Sequence, residues 1–412
     1  MRYGLAMFGR IAGAALAVAL ATPCAASAQD SRAASLEKRR ADKAAALQPY
    51  EPGKLERALL FFEREDPLRK IAPHNGFFVR YGYTGKPVGS GIGAAAGYRR
   101  DLFERHARMA VEVGGTWRRY RMVRGDFSLP SLAGGLLELG VSGIDRHDPQ
   151  EDFYGLGAES VKDNRVSFLF DRREFQGRAV VKPGGGFQIG LRTGRLSTKL
   201  GAGRDPRFPS IEERFSDTDA PGLANQPDFA YSDVFALLDR RDQPGNPRAG
   251  GSYGFTWRRY SDQDFDRYGF RAFEADVQHF FPIFDKKRVF AVRGRVVTTS
   301  AAAGQVVPFY FRPTLGGGDS LRSVSDHRFR DTNMLSMNVE YRWEAFSGLD
   351  MALFTDFGKV APSRRELDFG NLARAYGIGF RFNTYKEVFL RVDLALAGAE
   401  APRMIFKFSK AY

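Results

Sequence analysis

From Leu335 to Trp343 the chain alternates without a break: Leu335, Met337, Val339, Tyr341 and Trp343 are apolar, while Ser336, Asn338, Glu340 and Arg342 between them are polar. A period of two marks a β-strand with one greasy and one wet face. Ser347-Gly348 offers a tight link, and a second strand follows. In it Leu349, Met351, Leu353 and Phe357 share one side, and Asp350, Ala352, Phe354, Asp356 and Gly358 the other, so Glu340 and Asp356 are expected to face one interior. Ahead of this pair runs a glycine-containing loop that carries Arg312, Arg322, Arg328 and Arg330. A cation and two carboxylates can thus meet in one enclosed space and pin the loop.

The alternation recurs along the chain. Met109, Val111, Val113 and Trp117 stand against Arg108, Ala110, Glu112 and Gly114, and Val388, Leu390, Val392 and Leu394 against Phe389, Arg391 and Asp393. From Gly76 onward about sixteen strands are expected, near 76-84, 88-99, 106-116, 118-128, 132-145, 163-173, 186-198, 228-238, 250-261, 267-281, 289-301, 332-345, 348-358, 373-383, 387-397 and 403-411. Pro183 and Gly184 to Gly186 interrupt the pattern between 163 and 198. With an even count and both termini on one side, the links after odd strands fall outside; three of them, 146-162, 199-227 and 302-331, are long. Long loops at one end and short turns at the other are typical of an outer-membrane barrel.

The N-terminus narrows the class. Arg2 and Arg10, an apolar run from Ile11 to Ala21 and the Ala26-Ser27-Ala28 cleavage pattern read as a secretory signal over residues 1 to 28. The one cysteine, Cys24, lies inside it; Pro23 before it disfavours lipoprotein processing, which is the alternative. Cleavage after Ala28 leaves no cysteine, and so no disulfide, thiol catalysis or cysteine metal site. Residues 29 to 75 form a charged periplasmic segment with two short helices expected in SLEKRRADKAAAL and KLERALLFFERED, and residues 76 to 412 the barrel. Beyond the signal no apolar run is long enough for a spanning helix. Alternating segments fit a membrane barrel, where every backbone group must bond within a closed sheet, although a secreted sandwich or propeller alternates similarly.

The formal charge of +14 with pI about 9.8 raises nucleic-acid binding as a possibility to weigh. Here the positive charge is spread along the strands rather than gathered in a patch, which favours lumen arginines and contacts to anionic lipopolysaccharide and outer-membrane lipid over nucleic acid. Because the wet faces carry both signs, an ion-pair network in a narrow lumen is expected rather than a wide pore.

Four stretches resemble the bacterial surface antigen superfamily of outer-membrane barrels, the BamA/TamA type: LGG-x-x-SLR with RFRD in the loop, the N-x-EYRW strand, and the F-x-D-x-G strand of Phe354, Asp356 and Gly358. EDFYGLGAES (151-160) is similar to its FYGLG segment, and LDRRDQPGNPRAGG (238-251) to a turn whose role here reads as structural. The resemblance implies an all-β, transmembrane antiparallel β-barrel of about sixteen strands in the bacterial outer membrane, with an extracellular loop folded into the lumen. By motif match the loop arginine is Arg322 and its wall partners are Glu340 and Asp356, with Gly316, Gly317, Phe354 and Gly358 in support. Ser323 and Val324 replace the glycine and aromatic that usually follow the arginine, which points to a differently packed loop tip.

The function implied is assistance to polypeptide insertion or translocation, with unfolded outer-membrane polypeptides or a separate periplasmic partner as counterparts. Residues 29 to 75 are too few for the family's repeated periplasmic domains, which keeps open a passive or gated channel or a structural surface antigen. Catalysis is not expected. Gly316 to Gly318 lack the Lys-Ser/Thr of a phosphate loop and serve a tight inward bend instead. His74, His106, His147, His279 and His327 lack metal spacing, so neither metal nor cofactor is expected, and Ser325 with His327 is a weak hydrolase signal.

Overall fold

The computed structural model describes residues 24–45, 53–65, 74–81, 93–384 and 386–408. The helix α1 (Cys24–Ala45) falls in a unit ending at Leu55, and everything from Glu56 onward forms a second unit. Most of the secretory signal, the segment 82–92 and the end of the last strand lie outside the described residues. Helix α2 (Lys54–Glu65) coincides with the second helix expected from sequence.

Sixteen strands form one antiparallel sheet in chain order. They are β1 (Gly76–Tyr81), β2 (Gly93–Leu102), β3 (Ala107–Thr116), β4 (Arg121–Leu132), β5 (Leu137–Phe153), β6 (Val166–Gly184), β7 (Phe187–Ala202), β8 (Phe229–Asp239), β9 (Gly250–Asp262), β10 (Phe270–Ile283), β11 (Arg288–Ala301), β14 (Asn333–Phe346), β15 (Leu349–Ala361), β16 (Ala373–Asn383), β17 (Val388–Gly398) and β18 (Arg403–Lys407). Two short strands, β12 (Thr314–Leu315) and β13 (Phe329–Arg330), pair only with each other inside the loop between β11 and β14. Each strand of the meander is joined to the next without crossover, the connectivity of an up-and-down barrel.

Alternate positions explain the two faces. Val111, Val113, Phe127, Val141, Phe175, Leu191, Val234, Trp257, Phe290 and Leu353 are exposed although apolar. A continuous apolar band on the outer face suits lipid rather than water. The opposite positions turn inward and hold ion pairs such as Arg178 with Asp126 and Glu138, and Asp233 between Arg192 and Arg258.

One expectation needs correction. The interruption between 173 and 186 is absent: β6 runs on to Gly184 and pairs with β7 throughout, with a register shift between Val181 and Gly184. Pro183 sits at that irregularity, where a missing N–H is tolerated. Gly185 and Gly186, at φ of 60° and 78°, make the turn itself. At the other end, β5 and β7 reach beyond their expected limits to Phe153 and Ala202, which shortens the links that follow them.

Aromatic packing fixes the long loop within the sheet. Its single 3-10 turn, Phe309–Phe311, presses Phe309 onto Phe153 and Phe168 and Phe311 onto Phe229 and Tyr260. Offset and edge contacts of this kind add about 0.5–1.5 kcal/mol per pair beyond area burial. The loop is thereby held across the lumen before any charge is considered.

Candidate functional site

The loop enters as a narrow hairpin. Thr314 and Leu315 pair with Arg330 and Phe329, and the chain reverses at Gly316 and Gly317, with φ of 133° and 83°. A Cβ on Gly316 would meet the Ser325 carbonyl at 2.2 Å, and one on Gly317 the Asp326 carboxylate at 1.8 Å. Only glycine fits this bend. The Ser320 hydroxyl donates to the Gly316 carbonyl and accepts from its N–H, closing the turn at 3.0 and 2.9 Å.

At the tip, Arg322 is 1% exposed. Its Nε and NH2 donate to the two oxygens of Asp356 at 2.8 and 2.5 Å, its backbone N–H to Asp356 Oδ2 at 3.1 Å, and NH1 to Glu340 Oε1 at 2.6 Å. The expected trio of Arg322, Glu340 and Asp356 therefore does come together. Burial pulls Arg322 towards neutrality, but Asp356 and Glu340 outweigh it and raise its pKa well above the ordinary arginine range. A fork-to-fork pair of this kind fixes orientation as well as charge.

The supporting residues have physical roles. The Arg322 guanidinium lies over the Phe354 ring. Gly358 leaves room for Leu315, whose side chain would lie 2.6 Å from an added Cβ. Gly377, cross-strand from Phe354, leaves room for that ring, 2.4 Å from an added Cβ.

The wall contributes more than the trio. Glu340 also accepts from Arg342 at 2.7 Å and Arg381 at 3.0 Å, while Asp393 accepts from Arg381 at 2.7 Å and Arg391 at 2.5 Å. Arg381 and Arg391 stand directly opposite on β16 and β17, a repulsive placement unless carboxylates lie between them. The cluster thus holds four arginines, Arg322, Arg342, Arg381 and Arg391, and three carboxylates, Glu340, Asp356 and Asp393, all nearly inaccessible to solvent. Asn338 joins wall to loop through the Ser320 carbonyl at 2.7 Å and Asp356 at 2.8 Å.

Ser323 and Val324 show how the tip packs without glycine and an aromatic. Val324 is buried with Leu315, Leu321, Met334, Val360 and Ala375. Ser323 is fully buried and donates to the Arg374 carbonyl at 3.2 Å. Glu400, in the link between β17 and β18, accepts from the Ser325 N–H at 3.0 Å, the Ser325 hydroxyl at 2.8 Å and Arg328 Nε at 2.9 Å. The same Arg328 donates to Ser160 of the 151–160 stretch at 2.9 and 2.7 Å, so one residue clamps three segments.

Ser325 and His327 do not face each other as nucleophile and base: Ser325 is taken by Glu400 and His327 by Glu151 at 3.0 Å. The 238–251 turn is structural in its contacts. Asp242 Oδ1 caps three backbone N–H groups of the turn, and Arg248 meets both oxygens of Asp350 at 2.8 Å.

Comparison with known proteins fits this geometry. Residues 233–406 match the Omp85 superfamily domain, and no curated protein matches the chain. Among solved structures, BamA from Haemophilus ducreyi, determined without POTRA domains 1-3, superposes with a TM-score of 0.60 at 14% identity, over 81% of this chain and 69% of that one. CdiB from Escherichia coli superposes at 0.50 and 12% identity, over 81% of this chain and 61% of that one, so the chain spans about three fifths of its length. At such identities the likeness is one of fold, a barrel of the outer-membrane type. The matched stretch spans the whole Arg322 cluster, so the site lies within the part of the chain that resembles the Omp85 superfamily domain.

Proposed function

We propose that this barrel assists the insertion or passage of polypeptides at the bacterial outer membrane, without a catalytic step of its own. The observation that carries the reading is the filled lumen: a loop seated by Arg322 on Glu340 and Asp356, and by Phe309 and Phe311 among wall aromatics, occupies the space a diffusion pore would leave open. Work on a polypeptide then falls to the sheet itself and its surroundings. Unfolded outer-membrane polypeptides are the proposed clients, and a separate periplasmic partner could deliver them; outer-membrane lipid and lipopolysaccharide surround the apolar band.

Planar-bilayer conductance of the wild type beside Arg322→Ala tests the reading, with heat-modifiability on gels to verify that both barrels are folded. Low, fluctuating current that rises in the folded mutant supports a plugged barrel, and binding of an unfolded outer-membrane polypeptide to the wild type completes the case. Large, steady current in both proteins would overturn it in favour of a passive channel. Low current in both, with no polypeptide binding, would favour a structural surface antigen.

A further inference from the structure

A cavity of about 330 Å³ lies between the inserted loop and the strands β5, β6, β11 and β14. Four arginines line it, Arg172 from β6, Arg295 from β11, and Arg312 and Arg330 from the loop. The wall arginines have partners: Arg172 meets Asp148 at 3.3 Å, and Arg295 meets Glu274 at 2.7 Å. Glu151, the one carboxylate on the lining, faces His327.

The loop arginines differ. Among the described residues neither Arg312 nor Arg330 has a carboxylate within 4.0 Å. Arg312 donates to the Val307 carbonyl at 3.2 Å and Arg330 to the Phe309 carbonyl at 2.9 Å, while the carboxylates that act on them from a distance, Asp331 on Arg312 and Glu151 on Arg330, make no direct ion pair with either. Arg330 is 4% exposed, and its Nε has no hydrogen-bond partner; the Nε of Arg172 is likewise buried without one. Burial lowers Arg330 only to about 10, so it stays charged near neutral pH. A buried cation with no anion in direct contact is costly, and an anion in the cavity lowers that cost.

We propose that this cavity binds a small phosphomonoester-type oxyanion, held by Arg312 and Arg330 from the loop and by Arg172 and Arg295 from the wall. Guanidinium groups offer paired N–H donors matched to phosphate oxygens. Phe168, Phe170 and Phe311 on the lining supply apolar surface for a small organic body attached to the phosphate. Because two cations belong to the loop and two to the wall, the bound anion ties one to the other across the lumen. Occupancy therefore strengthens loop retention. The site stands apart from the polypeptide function proposed above and does not depend on it.

The test uses the purified full chain in detergent, at constant ionic strength in chloride, titrated by calorimetry. The ligands are inorganic phosphate, glucose 6-phosphate, glucose and a short-chain phosphatidic acid. Saturable binding of phosphate or glucose 6-phosphate but not glucose, weakened about tenfold or more by Arg312→Gln, is the expected result. Binding confined to the phosphatidic acid and equally weakened by Arg312→Gln would support the site and assign its ligand to lipid headgroups. Should Arg312→Gln lose heat-modifiability, Arg295→Gln provides the second variant. No saturable binding by any phosphate, or unchanged affinity in a folded variant, overturns the proposal.

Discussion

The Arg322 guanidinium carbon lies 3.4 Å from the centroid of the Phe354 ring, so the loop cation sits on an aromatic face while its nitrogens reach across to two carboxylates. Stack and fork-to-fork pair hold the same group from different directions. Phe354→Leu keeps the apolar volume and removes the π face. A desolvated cation–π contact is worth about 2 kcal/mol, so the loop should stay docked but open more often. The expected readout is more frequent current fluctuation in bilayers with unchanged heat-modifiability; a trace identical to wild type would show that the carboxylates alone seat the loop.

Charge count ranks two other substitutions. Without Arg322 the cluster keeps three arginines and three carboxylates, a balanced wall, whereas Glu340→Gln leaves four arginines facing two carboxylates. Breaking a buried pair typically costs about 3–5 kcal/mol. Glu340→Gln should accordingly lower the temperature of barrel unfolding, followed by gel shift, more than Arg322→Ala does. The reverse order would mean that the wall arginines are relieved by water once the loop moves.

Parity along a strand was enough to place Glu340 and Asp356 on one face, because side chains alternate regardless of distant context. Arg391 and Asp393 were legible in the same way as wet-face residues. Their convergence on Glu340 was not, since it depends on how the curved sheet and the loop divide the lumen. Glu400 left no pattern at all: it lies on a link, and its three bonds to the tip exist only once the loop has folded inward. Pro183 misled for a local reason, because a proline that ends most strands is absorbed here by a register shift beside the turn. The lining of the cavity joins four strands and the loop, a proximity no one-dimensional periodicity carries.

Glu400→Gln tests the clamp at the loop tip. The substitution keeps size and one acceptor oxygen but removes the charge that serves Arg328 and Ser325. Hydrogen bonds to charged groups contribute about 1.5–3 kcal/mol, so backbone amides near Ser325 and Arg328 should exchange about tenfold or more faster, while those of β14 and β15 keep their protection. Uniform loss of protection across the sheet would instead make Glu400 a residue of global stability.

Arg248→Ala probes the opposite mouth. The side chain reaches from the link between β8 and β9 to Asp350 on β15, and the Val388 N–H donates to the Gly245 carbonyl of the same link at 3.1 Å. Asp350 is 3% exposed, so removal of its cation strands a buried carboxylate. A lower unfolding temperature with unchanged bilayer current is the expected outcome, because the Arg322 cluster is untouched. Raised current would reveal that the turn also holds the lumen closed.

Asp326 gives the loop a pH dependence of definite sign. It lies against Gly317 at the inward bend, and burial raises its pKa to about 6, against the pull of His327 and Arg403 in the other direction. A carboxyl whose folded pKa exceeds its unfolded value of about 4 stabilises the docked loop fully below that lower value. The contribution then fades as pH rises through about 6, where the docked loop must carry an enclosed negative charge. Hydrogen exchange of residues 316–328 should therefore show protection, corrected for intrinsic exchange, that falls between pH 4 and pH 7. Other carboxylates titrate over the same range, so the difference between wild type and Asp326→Asn isolates this one. Asp326→Asn should remove the decline and leave the loop more firmly docked than wild type at pH 7; identical curves for the two proteins would mean that water in the lumen already solvates the ionised group.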